Sequence, residues 1–174
     1  MALLPILEAP HPILSQKARV VTDDEFGPEL IQHLDDMAET MYDAPGVGLA
    51  APQVGDSRRI LVADPSNNDD QDLPTLYKMV NPTILSHSEE LISYEESCLS
   101  VPEFYLNVRR FKSITLEWRD GMGVTHREMF EGFPSIVLQH EMDHLEGIIL
   151  LDKTSRFRRS RYISKVKKQR KTKR

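Results

Sequence analysis

His140-Glu141-Met142-Asp143-His144 is the stretch of this chain best suited to chemistry. Two histidines four residues apart lie on one face of a helix, so both imidazoles can reach a single metal ion. The glutamate between them sits beside that ion without having to bind it. This is the layout of a hydrolytic metal site with a general base built in. The alternative, two exposed helix histidines, fits less well with what runs into the motif. Phe133, Ile136 and Val137 form an apolar stripe, and His140 and His144 extend it at offsets of 7 and 11 from Phe133. Both histidines therefore face the core side, where a bare neutral imidazole needs a partner. Glu141, Met142 and Asp143 turn away from the centre of the stripe by varying amounts.

A site of this kind needs a third protein ligand and an open position for water. In an H-E-x-x-H-x-x-G-x-x-H continuation Gly147 would fit, but position 150 is leucine. Downstream of Glu146 the only acid is Asp152, so the third ligand is expected upstream. Cys98, the single cysteine, is the candidate. It has no partner in the chain for a disulfide, and a thiol held beside a divalent cation becomes a thiolate. A lone cysteine is otherwise a small buried hydrophobe or a nucleophile with a histidine base. The second role conflicts with a motif that already engages both histidines.

Three segments together resemble a known family. Gly46-Val47-Gly48-Leu49-Ala50-Ala51-Pro52-Gln53, Glu96-Ser97-Cys98-Leu99-Ser100 and Gln139-His140-Glu141-Met142-Asp143-His144 resemble the three motifs of peptide deformylases, in the same order. The likeness runs from the amino terminus to about residue 152 and continues more loosely into the tail. The family's middle motif usually has glycine where this chain has Ser97. That departure leaves the ligands intact and bears on the shape of the groove beside Cys98.

The resemblance implies a ligand set of Cys98, His140 and His144 around one divalent ion, Fe²⁺ in the first place, with Zn²⁺, Ni²⁺ or Co²⁺ as other fits. It implies Glu141 as general base and then general acid. The side chain of Gln53 and the backbone N–H of Leu99 become the donors that stabilise the oxyanion. The reaction implied is removal of the formyl group from the N-terminal formyl-methionine of newly made polypeptides, with formate as product. Val47, Phe133, Ile136 and Val137 resemble the lining of the methionine pocket, and the last three also precede His140 at helical spacing. Gly48 and Leu99 would dock the peptide main chain by strand-like pairing. Two other functions compete. One is an H-E-x-x-H metallopeptidase. The other is a ribosome- or RNA-binding protein with a vestigial site.

The elements that must position these residues are legible in part. Leu30, Ile31, Leu34, Met37, Ala38 and Met41 predict an amphipathic helix over 28–43, ended by Pro45 and Gly46. The metal helix is expected at about 134–146, with Pro134 in its first turn and Gly147 as its stop. Between them, strands are predicted over 58–63, 76–87, 90–96, 104–110, 112–119 and 124–130, with a hairpin at Asp120-Gly121 and a polar loop over 64–74. The Pro-rich residues 1–23 are expected to run extended over the surface. The segment at 46–53 fails as a dinucleotide loop, because position 51 is alanine and no helix is expected after it. The fold class is α+β: short antiparallel strands around a central metal-binding helix, with an N-terminal amphipathic helix and a basic C-terminal helix.

Composition is that of an ordinary globular chain of 174 residues, long enough for one domain with a core. No apolar run reaches transmembrane length, and the start of the chain reads as neither signal nor transit peptide. With one unpaired cysteine, the expected compartment is the cytoplasm. Charge is segregated. Residues 153–174 hold 12 of the 22 Lys/Arg and none of the 27 Asp/Glu, so residues 1–152 carry 10 basic against 27 acidic groups, a net −17 hidden by the overall −5. A division into a catalytic domain at 1–152 and a basic helix or tail at 153–174 follows. Phe157, Tyr162, Ile163 and Val166 predict a helix at 155–168, with the last residues disordered. Such a tail is attracted to polyanions. The family resemblance makes that partner the ribosome, near the exit of the nascent chain. No membrane and no organic cofactor are expected.

Overall fold

The computed structural model describes residues 2–68 and 73–172. Helix α1 spans Pro28–Asp43 and strand β1 spans Gly48–Ala50. Strands β2 (Ile60–Ala63), β3 (Tyr77–His87), β4 (Leu91–Cys98), β5 (Val101–Phe111), β6 (Ser113–Arg119) and β7 (Thr125–Glu131) follow. Helix α2 spans Phe133–Leu145 and helix α3 spans Arg156–Thr172. Five strands form an antiparallel sheet in the order β1-β2-β3-β6-β7, and β4 pairs with β5 as a separate hairpin. The α+β architecture expected from the sequence is present.

Period-2 alternation in β2 separates two cores. Ile60 and Val62 pack with Leu30, Leu34, Met37 and Met41 of α1. Leu61 and Ala63 face the other way, onto Val137, Leu138 and Leu145 of α2. Helix α2 thus lies between the large sheet and the β4–β5 hairpin, and it is tied down at its middle and at its carboxyl end. Gln139 Nε2 donates to Phe111 O at 2.8 Å, and Gln139 Oε1 accepts from Phe111 N at 3.1 Å. At the carboxyl end the Arg59 guanidinium donates to Leu145 O at 3.1 Å and pairs with Glu146 at 2.6 Å, where a cation suits the helix dipole. Gly147 ends the helix at φ 75°, and a Cβ there would stand 2.8 Å from the Ser15 backbone.

Several expectations need correction. Strand β1 was not predicted, because three residues give no readable alternation. The turn after it is a single 3-10 turn at Ala51–Val54, where no helix was expected. Residues 2–23 run over the surface for the most part, as expected, but Ala9, Leu14, Ala18 and Val21 are buried, and short 3-10 turns occupy Pro12–Ser15 and Asp23–Glu25. Their N–H groups reach the body, with Ala9 N donating to Ser100 O and Ala18 N to Leu145 O, both at 2.8 Å. The 64–74 loop begins with a buried Asp64 and a 3-10 turn at Pro65–Asn68, while Asp69 and Asp70 lie outside the described residues. Helix α3 is longer than expected, and Phe157 leaves its packing face, being 74% exposed. Tyr162 and Ile163 do pack, against a cluster that includes Phe104 and Val101. Lys173 and Arg174, where disorder was expected, lie outside the described residues.

Candidate metal centre

Strand alternation at the end of β4 sends Glu96 and Cys98 inward, towards α2, and leaves Ser97 exposed. Helix spacing brings His140, Glu141 and His144 to meet them. One donor atom from each of Cys98, His140 and His144 lies within 4.8 Å of the others. Cys98 Sγ is 3.4 Å from His144 Nε2. His140 presents Nε2 to the site because its Nδ1 is held by Glu96 Oε1 at 2.9 Å. A cysteine sulfur and two imidazoles, converging with a fourth position open to a cleft, fit a tetrahedral divalent ion. A second observation supports the fit. Glu141 Oε2 is buried without a hydrogen-bond partner among the described residues, as expected where a site is completed by something other than side chains.

The cleft has a volume of about 440 Å³. Cys98, His140 and Glu141 lie at its floor, and Val47, Phe133, Ile136 and Val137 form its apolar wall. Gly48, Gln53 and Leu99 also line it. His144 is 1% exposed and stands behind the others. All the residues singled out in the sequence are therefore brought to one place.

Two of them are tightly constrained. Gln53 is buried, its Oε1 accepts from Ala50 N at 2.9 Å, and its Nε2 donates to Ser100 Oγ at 3.0 Å. The same Nε2 lies 3.6 Å from Cys98 Sγ, so the amide's donor end is aimed at the metal site. Glu141 Oε1 is 4.0 Å from His140 Nε2, and burial pushes the carboxyl up to about 7. Gly48 makes room for it: a Cβ at that position would stand 2.6 Å from Glu141 Oε1. Gly48→Ala is expected to displace Glu141 and lower turnover about tenfold with the metal retained, read from formate release and metal content. Unchanged turnover would show that the close approach has no consequence.

Sequence reasoning missed what lies behind the ligands. Glu96 and Arg110 are both buried, and the guanidinium donates to both Glu96 oxygens, at 2.6 and 2.8 Å. Its third contact is Asp143 Oδ2 at 2.9 Å, inside the H-E-x-x-H motif itself. Burial works against charge on Glu96, but Arg110 and His140 outweigh it and hold the carboxyl below its ordinary range. The signal available in the sequence was chemical: a ligating histidine needs an acceptor on its other nitrogen. Spacing could not choose among Glu89, Glu90, Glu95 and Glu96.

The profile of the polypeptide deformylase family matches residues 3–160. A peptide deformylase of Zymomonas mobilis is 47% identical over 98% of this chain and 97% of its own length. One from Caulobacter vibrioides is 48% identical over 90% of this chain and 87% of its own. A peptide deformylase from Ehrlichia chaffeensis, solved in complex with actinonin, superimposes with a TM-score of 0.89 at 34% identity, over 97% of this chain and 98% of that one. A metallopeptidase is not favoured by any of these likenesses. With the motifs, the fold and the site all in agreement, this chain belongs to the polypeptide deformylase family.

Proposed function

We propose that the chain carries out the family's reaction: it hydrolyses the formyl group from the N-terminal formyl-methionine of newly synthesised polypeptides, releasing formate and a free amino terminus. The observation that carries this reading is the convergence of Cys98, His140 and His144 beside Glu141 and Gln53 at the floor of an apolar cleft. Cys98, His140 and His144 would hold the divalent ion, which when bound supplies Lewis acidity and makes water acidic enough to ionise near neutral pH.

The chain's own residues do the rest. The apolar wall of Val47, Phe133, Ile136 and Val137 receives the methionine side chain. Gly48 and Leu99 hold the peptide main chain in an extended form. Glu141 takes the proton of the attacking water and then delivers it to the leaving nitrogen. Burial raises the proton affinity of its carboxyl, which suits a group that must accept a proton and pass it on. The Gln53 amide and the Leu99 backbone N–H donate to the oxygen on which charge develops. Gln53 arrives already oriented by Ala50 and Ser100, so little reorganisation accompanies the reaction.

A paired assay tests the reading. A formyl-Met peptide should release formate, and the same peptide acetylated or unmodified should stay intact. A new internal peptide end without formate would sink it in favour of a metallopeptidase. The ion is taken to be Fe²⁺, with Zn²⁺, Ni²⁺ and Co²⁺ as the other fits. Metal analysis of protein purified without oxygen decides between them.

Residues 1–152 are read as the catalytic body and 153–174 as a basic docking segment for the ribosome near the nascent-chain exit, which places the enzyme in the cytoplasm. No helix among the described residues is long and apolar enough to cross a membrane. Within α3 the first half is also structural: Tyr162 OH donates to Pro102 O at 2.8 Å, and its ring meets Phe104 edge-on. A cut after Val166 therefore tests docking better than one after Asp152. It removes Lys167, Lys168, Arg170, Lys171, Lys173 and Arg174 and spares the packing. Ribosome affinity is expected to fall about tenfold or more at low salt, with the difference closing as salt rises, while small-peptide turnover holds. Equal affinity of both chains for ribosomes would refute this role.

A further inference from the structure

The lip of the cleft at Gly46–Gly48 is held from outside the catalytic machinery. Gly46 O accepts from Asn67 Nδ2 at 2.8 Å, and Val47 O accepts from Asp64 N at 2.9 Å. Both donors belong to the segment that leaves β2. Asp64 is fully buried and gathers that segment together: it accepts from the Tyr42 and Ser66 hydroxyls, from Ser66 N at 3.0 Å and from Thr75 N at 3.2 Å. The end of α1, the turn at 65–68 and the return of the chain at Thr75 are thereby tied to one carboxylate, which fixes where Asn67 stands.

From the other side the lip is closed in by Leu99. Gly46 N donates to Met41 O at 2.7 Å, and a Cβ on Gly46 would stand 2.9 Å from Leu99 Cδ1. The lip therefore sits between a packed leucine and the Asn67 amide, and a small shift of the Gly46 peptide changes its distance from Leu99 across the cleft. Asn67 is itself exposed and outside the three core clusters. Its amide reaches across 21 residues of sequence to a backbone oxygen of the cleft wall.

We propose that Asn67 is a positioning residue for the substrate peptide, acting through the Gly46 carbonyl to set the Gly46–Gly48 lip against Leu99. The inference rests on the deformylase reading of the cleft and adds to it a residue outside all three motifs. Asn67 holds the lip at Gly46, two residues from the Gly48 that packs on Glu141, so its loss loosens the grip on the main chain and weakens ground state and transition state alike. The effect then appears in KM and spares kcat.

The test uses full-length, metal-loaded protein and a formylated Met-Ala-Ser tripeptide. Asn67→Ala removes the donor. Asn67→Asp keeps the shape and sets a carboxylate oxygen against the Gly46 carbonyl. Each variant is expected to raise KM about five- to tenfold, the size of one hydrogen bond, with Asn67→Asp at least as affected. In both, kcat should stay within about twofold and the melting temperature within about 2 °C. An unchanged KM in both variants overturns the proposal. So does a fall in kcat at constant KM, or a KM effect accompanied by a larger loss of melting temperature, which would mark Asn67 as a structural residue of its turn. Wild-type protein that released no formate would overturn the reading of the whole cleft, and this inference with it. Active wild type with unaltered variants sinks the Asn67 assignment alone.

Discussion

Glu141→Gln is expected to leave a folded, metal-loaded protein whose formate release is slower by about 10²- to 10⁴-fold, the usual contribution of a positioned acid–base group. The substitution keeps the volume and polarity of the side chain and removes only its ability to take and return a proton. Metal retention follows from geometry. The converging donors are Cys98, His140 and His144, and Glu141 Oε1 stands 4.0 Å from the nearest imidazole nitrogen. Folding should not suffer either, because the amide keeps nearly the shape of the carboxyl and adds no charge to a buried site. Two readouts must therefore separate: metal content per chain stays near the wild-type value while kcat collapses. Activity within about tenfold of wild type would remove Glu141 from the mechanism and assign the proton transfer to another group. Loss of metal together with activity would make Glu141 a ligand and undo the division of labour argued for the motif.

The parts of this site carried by local periodicity were readable in the sequence. His140 and His144 continue the Phe133, Ile136, Val137 stripe, and α2 forms within one residue of where that stripe puts it. Cys98 follows from the lack of a ligand downstream of the motif, and the pairing of β4 with β5 does bring it to the helix. What spacing could not supply was set by contacts distant in sequence. Arg110 meets Glu96 only because the hairpin folds 14 residues back on itself. Gln53 would be an ordinary exposed glutamine by composition, yet the turn at Ala51–Val54 buries it. Residues 2–23 lack periodicity because they follow the surface across several elements, touching Gln53 at Leu7 and Leu145 at Ala18. Phe157 departs from expectation for the opposite reason. It fits the apolar spacing of α3, but the body ends before it and leaves it in solvent.

Arg110→Met should be the most damaging single change to stability. It leaves Glu96, with 4% of its side chain exposed, as a buried carboxylate whose remaining contact is His140, and it leaves Asp143 with Lys153 at 3.3 Å. Breaking a buried pair by removing one partner costs about 3–5 kcal/mol. In a chain of this length that corresponds to a melting temperature lower by roughly 6–20 °C. The pH dependence follows in sign. Glu96 is now held below the ordinary carboxylate range, so its contribution is present above that range and is lost as pH falls through its folded value. Without Arg110 the folded value rises, so acid protonates the stranded carboxyl and the variant's stability deficit relative to wild type should narrow as pH falls through that range. The double variant Arg110→Met/Glu96→Gln removes the stranded charge and should regain most of the stability. It should not regain the metal site. Glu96 orients His140 through Nδ1 and makes it a better donor, and weakening such a partner lowers metal affinity about 10- to 100-fold. Chelator competition on the double variant measures that loss in a protein that melts normally. If the double variant melts no higher than Arg110→Met, the cost was lost packing of the arginine stem. If it binds metal as wild type does, Glu96 serves the fold and contributes nothing to the ligand set.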